Sequence, residues 1–215
     1  TAPTPAGVDP SLAKVPDARG RAQWISMWVG SGIPALPAYL AGGVDADPAV
    51  RFEAYRGLKN MPPSPAERKE AKLPFLAHDL QAEDASLRNV AFDVAKDLPD
   101  ASLAPALRAR HEKAKGDERA QALRALVKAV GKESLPEVRG DLESEESVVL
   151  NQALRSIVDF LGAGAAEDLV RVARRHRNSL VPGASFGSGL DSSTPSDLVA
   201  RYLELLPDEL ITGFL

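Results

Sequence analysis

The sequence predicts an all-α fold: an α-solenoid of about five helical hairpins with an N-terminal capping helix. Three observations predict it. Prolines and alanines recur in one fixed register along the chain, apolar residues around them are spaced by three and four as on one face of a helix, and the apolar composition suits packed helices. Only 5% of the 215 residues are aromatic, and Ala and Leu supply most of the apolar surface. A β-sandwich would call for many more Val, Ile, Tyr and Phe.

The repeat comes first. Pro37, Pro74, Pro105 and Pro136 are spaced by 37, 31 and 31 residues, and Ala54, Ala91, Ala122 and Ala153 have the same three spacings. Each proline therefore precedes its alanine by 17 residues. The 6 extra residues of the first interval fall in Met61-Pro62-Pro63-Ser64-Pro65-Ala66-Glu67, a loop by composition. One residue after each alanine stand Tyr55, Phe92, Leu123 and Leu154, and four after it Leu58, Ala95, Leu126 and Ile157. Three before it stand Arg51, Arg88, Arg119 and then Leu150. Around the prolines, Leu36, Leu73, Ala104 and Leu135 precede, and Tyr39, Leu76, Leu107 and Val138 follow two later. Proline is tolerated in a first helical turn, where its missing amide would be unpaired anyway.

Each unit is thus helix, turn, helix, over residues 33–61, 65–98, 102–130 and 134–161. Asp47 precedes Pro48 as an N-cap precedes the first helical position, and Asp84 and Asp117 stand at comparable starts. A calcium loop beginning at Asp45 and Asp47 would need further acidic ligands and a closing Glu. Upstream, Arg21, Trp24, Ile25 and Trp28 have helical spacing within 17–29, a lid over the first hairpin. Downstream, 165–180 keeps the period, with Leu169 31 residues after Val138 and Glu167 in place of the proline. An insertion, Val181 to Ser196, separates it from an apolar helix with Leu198, Val199, Tyr202, Leu203, Leu205 and Leu206, which lies outside the register. Residues 1–11 are expected to be a Pro/Ala-rich arm, and 12–215 a single domain. The small, Pro-rich opening Thr1 to Gly7, with no initial Met, gives an expectation of an exported, cell-envelope protein.

The patterns Leu-Pro-x-x-Leu and Asp-x-x-Val-Arg-x-x-Ala-x-x-x-Leu, as in Leu36-Pro37 and in Asp47 through Val50, Arg51 and Ala54 to Leu58, resemble HEAT repeats, particularly the short PBS-lyase HEAT-like version. The resemblance covers about 130 residues. It implies right-handed stacking, with first helices on the convex side. Leu150 in place of Arg and Lys115 in place of Asp depart from the pattern. The family includes scaffolds, transport adaptors, bilin lyase subunits and, more distantly, alkylpurine glycosylases, so the fold does not fix the function.

Composition narrows the chemistry. A net charge of −4 offers no general attraction to phosphate backbones or anionic membranes. The absence of cysteine removes disulfides, thiolate metal sites and cysteine nucleophiles. No run reaches the 18 apolar residues of a membrane span. Gly183-Ala184-Ser185-Phe186-Gly187 fits G-x-S-x-G, but that motif needs a strand before it and a helix after it. Here it falls in the insertion and reads as a loop. His78, His111 and His176 fall in different hairpins without ligand spacing, and read as surface or partly packed histidines. No cofactor or metal site is expected. Gly162-Ala163-Gly164 reads as a helix stop. Two basic clusters, Arg108, Arg110, Lys113 and Lys115, and Arg171, Arg174, Arg175 and Arg177, flank the acidic Asp141, Glu143, Glu145 and Glu146. Such alternation reads as a solvated face with pairing between neighbours.

What remains is the face opposite the alanines. At 100° per residue, it carries Phe52, Glu53, Arg56 and Asn60; Asn89, Val90, Asp93 and Asp97; Ala120, Gln121, Arg124 and Lys128; and Asn151, Gln152, Arg155 and Asp159. Four basic residues meet four acidic ones, whereas a groove for phosphates would need a basic excess. The expectation is a non-enzymatic scaffold or adaptor binding a protein or peptide through Arg56, Asp93, Arg124, Asn151 and Arg155. The alternatives are a nucleic-acid-binding relative of the alkylpurine glycosylases and a chromophore-lyase subunit.

Overall fold

A computed structural model describes residues 15–32, 35–60, 64 and 72–175. Among these, every regular element is helical. The α-helices are α1 (Ala18–Gly30), α2 (Leu36–Gly42), α3 (Pro48–Asn60), α4 (Leu76–Asp79), α5 (Ala85–Asp97), α6 (Ala104–Lys113), α7 (Gly116–Val130), α8 (Leu135–Asp141), α9 (Ser147–Leu161) and α10 (Ala166–Arg175). Short 3-10 turns occupy Ala101–Leu103, Gly131–Ser134 and Gly162–Ala165. The arm, most of the Met61 to Glu67 loop, the Gly183 to Gly187 motif, His176, Arg177, the insertion and the last apolar helix lie outside the described residues. No described helix is long and apolar enough to cross a membrane. Contacts divide the chain into two compact units, Thr1–Arg110 and His111–Leu215.

In the first unit α3 is central, packing against α1, α2 and α5, while α4 lies on α5. The alanine register explains the closeness: Ala54 and Ala91 are fully buried, as are Tyr55 and Phe92 one residue later. Gly57 takes the principle further. A Cβ there would lie 2.5 Å from the Tyr39 ring of α2, so the helix accepts glycine in its interior, at a cost of about 1 kcal/mol relative to Ala, to let that ring lie against its backbone. Asp47 accepts the Ala49 amide at 2.8 Å, and Asp84 accepts those of Ser86 and Leu87, so both are helix caps as their spacing predicts. Asp45 is turned instead toward Arg21 of α1.

In the second unit α9 packs against α7 and α8. A continuous core joins Leu123, Val138, Leu142, Leu150, Ala153, Leu154, Ile157, Leu169 and Val172. Leu169 is 1% exposed, in keeping with the period extending past the fourth hairpin. Gly131 and Gly162, 31 residues apart, end α7 and α9 with φ of +58° and +52°, a conformation that side-chain-bearing residues rarely adopt. Asp117 corrects one expectation. Lys115 holds the cap position of α7 and Asp117 lies inside its first turn, while the carboxylate of Glu146 accepts the Gly116 amide at 2.6 Å.

Ala122, fully buried on α7, gives a direct test of the register. Ala122→Leu adds three carbons where packing leaves no room and should lower unfolding stability by about 1–3 kcal/mol, measured by urea denaturation. A parental midpoint would place this face of α7 outside the core.

Candidate functional site

Arg51, the arginine three residues before Ala54, has two tasks. Arg51 donates through Nη1 to the carbonyls of Asp45 and Ala46, at 2.9 and 2.8 Å, six and five residues before it. Arg88 does the same to Ala82 and Glu83, and Arg21 to Val15 and Pro16. The turn before a helix leaves carbonyls without partners, and a guanidinium with five N–H donors can satisfy two and still reach elsewhere. Arg51 reaches Asp79 at the end of α4 with two parallel bonds of 2.7 Å, while the Tyr55 hydroxyl donates to the same carboxylate at 3.0 Å. Arg51 is 3% exposed and Asp79 is 0% exposed. The Asp79 hydrogen bond raises the Arg51 pKa, and burial, with the Asp79 charge next, pushes the Tyr55 hydroxyl well above its ordinary value. The Phe75 ring lies 4.6 Å from the guanidinium.

The second unit repeats the device with an addition. Arg119 donates to one Asp141 oxygen at 2.8 and 2.6 Å, and His111 Nε2 lies 2.7 Å from the other. Asp141 is fully buried and His111 is 4% exposed. The sequence reads His111 as a surface or partly packed histidine, and it is packed and buried; it reads Asp141 as part of a solvated acidic stretch, and that reading is corrected. A carboxylate holding an imidazole can orient a general base, but this imidazole is enclosed. His78, by contrast, is exposed. The rest of the acidic stretch behaves as expected: Arg171 and Arg175 of α10 pair with Glu143, and Arg175 reaches Glu145 at 4.0 Å. Among the described residues no His, Asp and Glu group could hold a metal ion.

Asp79 and Asp141 each stand five residues after a repeated proline, 28 and 22 residues after their arginines. The difference is the 6-residue loop. In the last hairpin the corresponding pair is Leu150 and Val172, again 22 apart, and both belong to the apolar core. The departure of Leu150 from the pattern is therefore matched on its partner side. Sequence reasoning saw the arginines and missed the acids, which stand five residues after two of the four prolines, with Gly42 and Arg110 at that position after the other two.

The five expected site residues divide between the units. In the first, Arg56 pairs with Glu53 at 2.8 Å and lies 5.8 Å from the Phe52 ring centroid. Asp93 takes Lys59 from the neighbouring α3 at 2.7 Å and Lys96 from its own helix. In the second, Arg124 is exposed, whereas Asn151 and Arg155 are half-buried. Ala120, in the same columns, is buried.

Phe52 and Glu53 open onto a groove of about 440 Å³, lined also by Asp47 and Ala49 and by Ala18, Arg19, Ala22, Gln23 and Ser26 of α1. The α1 residues Arg19, Ala22, Gln23 and Ser26 precede Ala49, Phe52, Glu53 and Arg56 by 30 residues, the interval from Asp17 to Asp47 and from Arg21 to Arg51. The groove is thus the furrow between two adjacent rows of one register, and the first row was missed because α1 was read as a lid.

Two predictions follow from these pairs. Arg51→Leu strands the buried Asp79 charge and should cost about 3–5 kcal/mol. Adding Asp79→Val and Tyr55→Phe, which reproduces the Leu150 and Val172 arrangement, should restore most of it; urea midpoints of the single and triple variants make the comparison. Burial alone would raise the Asp93 carboxyl, but hydrogen bonds from Lys59 and Lys96 outweigh it and hold the group below its ordinary value. A folded value below the unfolded one gives stability that is complete above pH about 4 and is lost as pH falls through the folded value. Asp93→Asn should therefore lower Tm at pH 7 by about 1–3 °C and leave it nearly unchanged well below the carboxylate range.

Set beside known proteins, the chain matches no family model, and it matches none of the curated proteins.

Proposed function

We propose that the chain is a HEAT-like α-solenoid of about five hairpins, a non-enzymatic interaction module that takes a protein or peptide segment on the solvent side of its second helices. One observation carries the reading: Phe52 and Glu53, neither of them buried in the core, line the groove between α1 and α3. Its walls mix apolar Ala18, Ala22, Ala49 and Phe52 with polar Arg19, Gln23, Ser26 and Asp47. That composition suits a segment anchored by one apolar side chain and oriented by polar contacts to its backbone.

The distribution of ionisable groups supports a binder over a catalyst. A general acid or base must come within hydrogen-bond reach of its substrate. Asp79, Asp141 and His111 are enclosed and committed to tying helices together. The groups left near solvent, such as Arg56 with Glu53 and Asp93 with Lys59, are paired ions of mixed sign. Such a surface selects partners by complementarity more than by net charge.

The test is selection of random peptides displayed on phage against the intact chain. Enriched peptides should lose at least about tenfold in affinity to Phe52→Ser or Gln23→Glu, and to Arg124→Glu with Arg155→Glu where they engage the second unit, while Met27→Ser leaves them unaffected. Peptides indifferent to every one of these substitutions would move the site elsewhere.

A further inference from the structure

The charged groups that line the groove between α1 and α3 are not equivalent. Asp47 holds the Ala49 amide at 2.8 Å at the start of α3, where the helix dipole also offsets its charge. Glu53 is paired with Arg56 at 2.8 Å, and its side chain is 16% exposed. Arg19, on the opposite wall, is exposed and makes no ion pair among the described residues. A guanidinium offers five donors and no acceptor, in a planar fork that matches a carboxylate. Beside it the lining is apolar, with Ala22 of α1 next to Ala49 and Phe52 of α3.

Resting on the reading of this groove as a peptide site, we propose that its occupant is a partner segment in which an acidic side chain stands within two residues of a large apolar one. The carboxylate sits on Arg19 and the apolar group against Ala22, Ala49 and Phe52. Charge complementarity gives the sign. Arg19 and Arg56 balance Asp47 and Glu53, so net charge draws in neither sign and the choice is made locally. A basic side chain would meet acids that already have partners and would approach Arg19. A carboxylate gains the one cation among the lining residues. Helix geometry gives the spacing. Arg19 and Ala22 are three residues apart, about 5 Å along the axis, and the side chains i and i+2 of an extended chain leave one face about 7 Å apart. Gln23, the next lining residue of α1, carries a donor and an acceptor for the backbone of such a segment.

Random peptides displayed on phage through their C-termini offer no terminal carboxylate, so an acid selected in this way is a side chain. Among peptides enriched on the intact chain, those that lose affinity to Phe52→Ser should carry Asp or Glu within two residues of a large apolar residue. Changing that acid to its amide should weaken binding to the parent at least about threefold and should make no difference to binding by Arg19→Gln. Changing it to Lys should lower affinity for the parent and raise it for Arg19→Glu. Position 19 is exposed in the first turn of α1, where glutamate suits the helix dipole, so the parental Tm should be kept and shows that the variant is folded. Groove-binding peptides without an acid, or an amide change felt equally by the parent and by Arg19→Gln, would overturn the proposal and leave the groove as a peptide site. Enriched peptides that are all indifferent to Phe52→Ser would overturn the groove reading and the proposal together.

Discussion

A guanidinium that is 3% exposed has to find acceptors for five N–H groups and an opposite charge, and that demand at Arg51 organises the hairpins around it. Its bonds to Asp45 and Ala46 fix the turn ahead of its own helix, and its fork on Asp79 fixes the next hairpin. Two helices and a loop are thereby tied at one point, with Tyr55 completing the carboxylate's partners. Arg119 with Asp141 ties the second unit in the same way, and His111 extends the tie to a third helix. Buried ion pairs are poor sources of net stability, because desolvation offsets most of their attraction. What they contribute is register: a hairpin displaced by one turn would leave both charges buried and alone.

The apolar half of this architecture was legible in the sequence. Ala54, Ala91, Ala122 and Ala153 could be placed in the core from spacing alone, since a helix repeats every 3.6 residues and the signal stays within one window. Asp79 and Asp141 were not legible in that way. They are charged, which marks a residue as solvated by default, and their partners lie 22 or more residues away, beyond any helical window. Their burial is a property of the pair, and only the matching of Arg51 with Asp79 and of Arg119 with Asp141 at equivalent positions announces it. His111 escaped for the same reason, as its partner Asp141 lies 30 residues downstream.

The candidate surface was legible as a set of columns but not as a shape. Helical geometry assigns Phe52, Glu53 and Arg56 to the side away from Ala54 without knowing how near the neighbouring helix stands. Because α3 lies beside both α1 and α5, and α7 beside α9, part of that side is enclosed, which is why Ala120 is buried and Asn151 and Arg155 are half-buried. The groove forms where a small residue, Ala22 on α1, faces the larger Phe52 on α3. A furrow of this kind depends on contrast in side-chain size between rows, so a reading that omitted the α1 row had no means of finding it.

Leu150 and Val172 show that the positions of the polar tie can be filled by apolar side chains instead. In the second unit the two positions 22 residues apart are filled in two ways. They stand as Arg119 and Asp141, with donors and acceptors matched, and as Leu150 and Val172, aliphatic side chains that need no partners. A mixed pair is the costly outcome, for an isolated buried charge lacks both water and counter-ion. The positions are therefore constrained jointly although each is free singly, and the substitution of Leu for Arg at 150 is intelligible only with Val at 172. The apolar version lacks direction, since it tolerates small shifts that a bidentate bond would not. Hairpin-to-hairpin register in this chain is accordingly most sharply defined at Arg51 and Arg119, while toward Val172 the buried contact is apolar and the ion pairs, Arg139 with Asp168 and Arg171 and Arg175 with Glu143, lie nearer solvent.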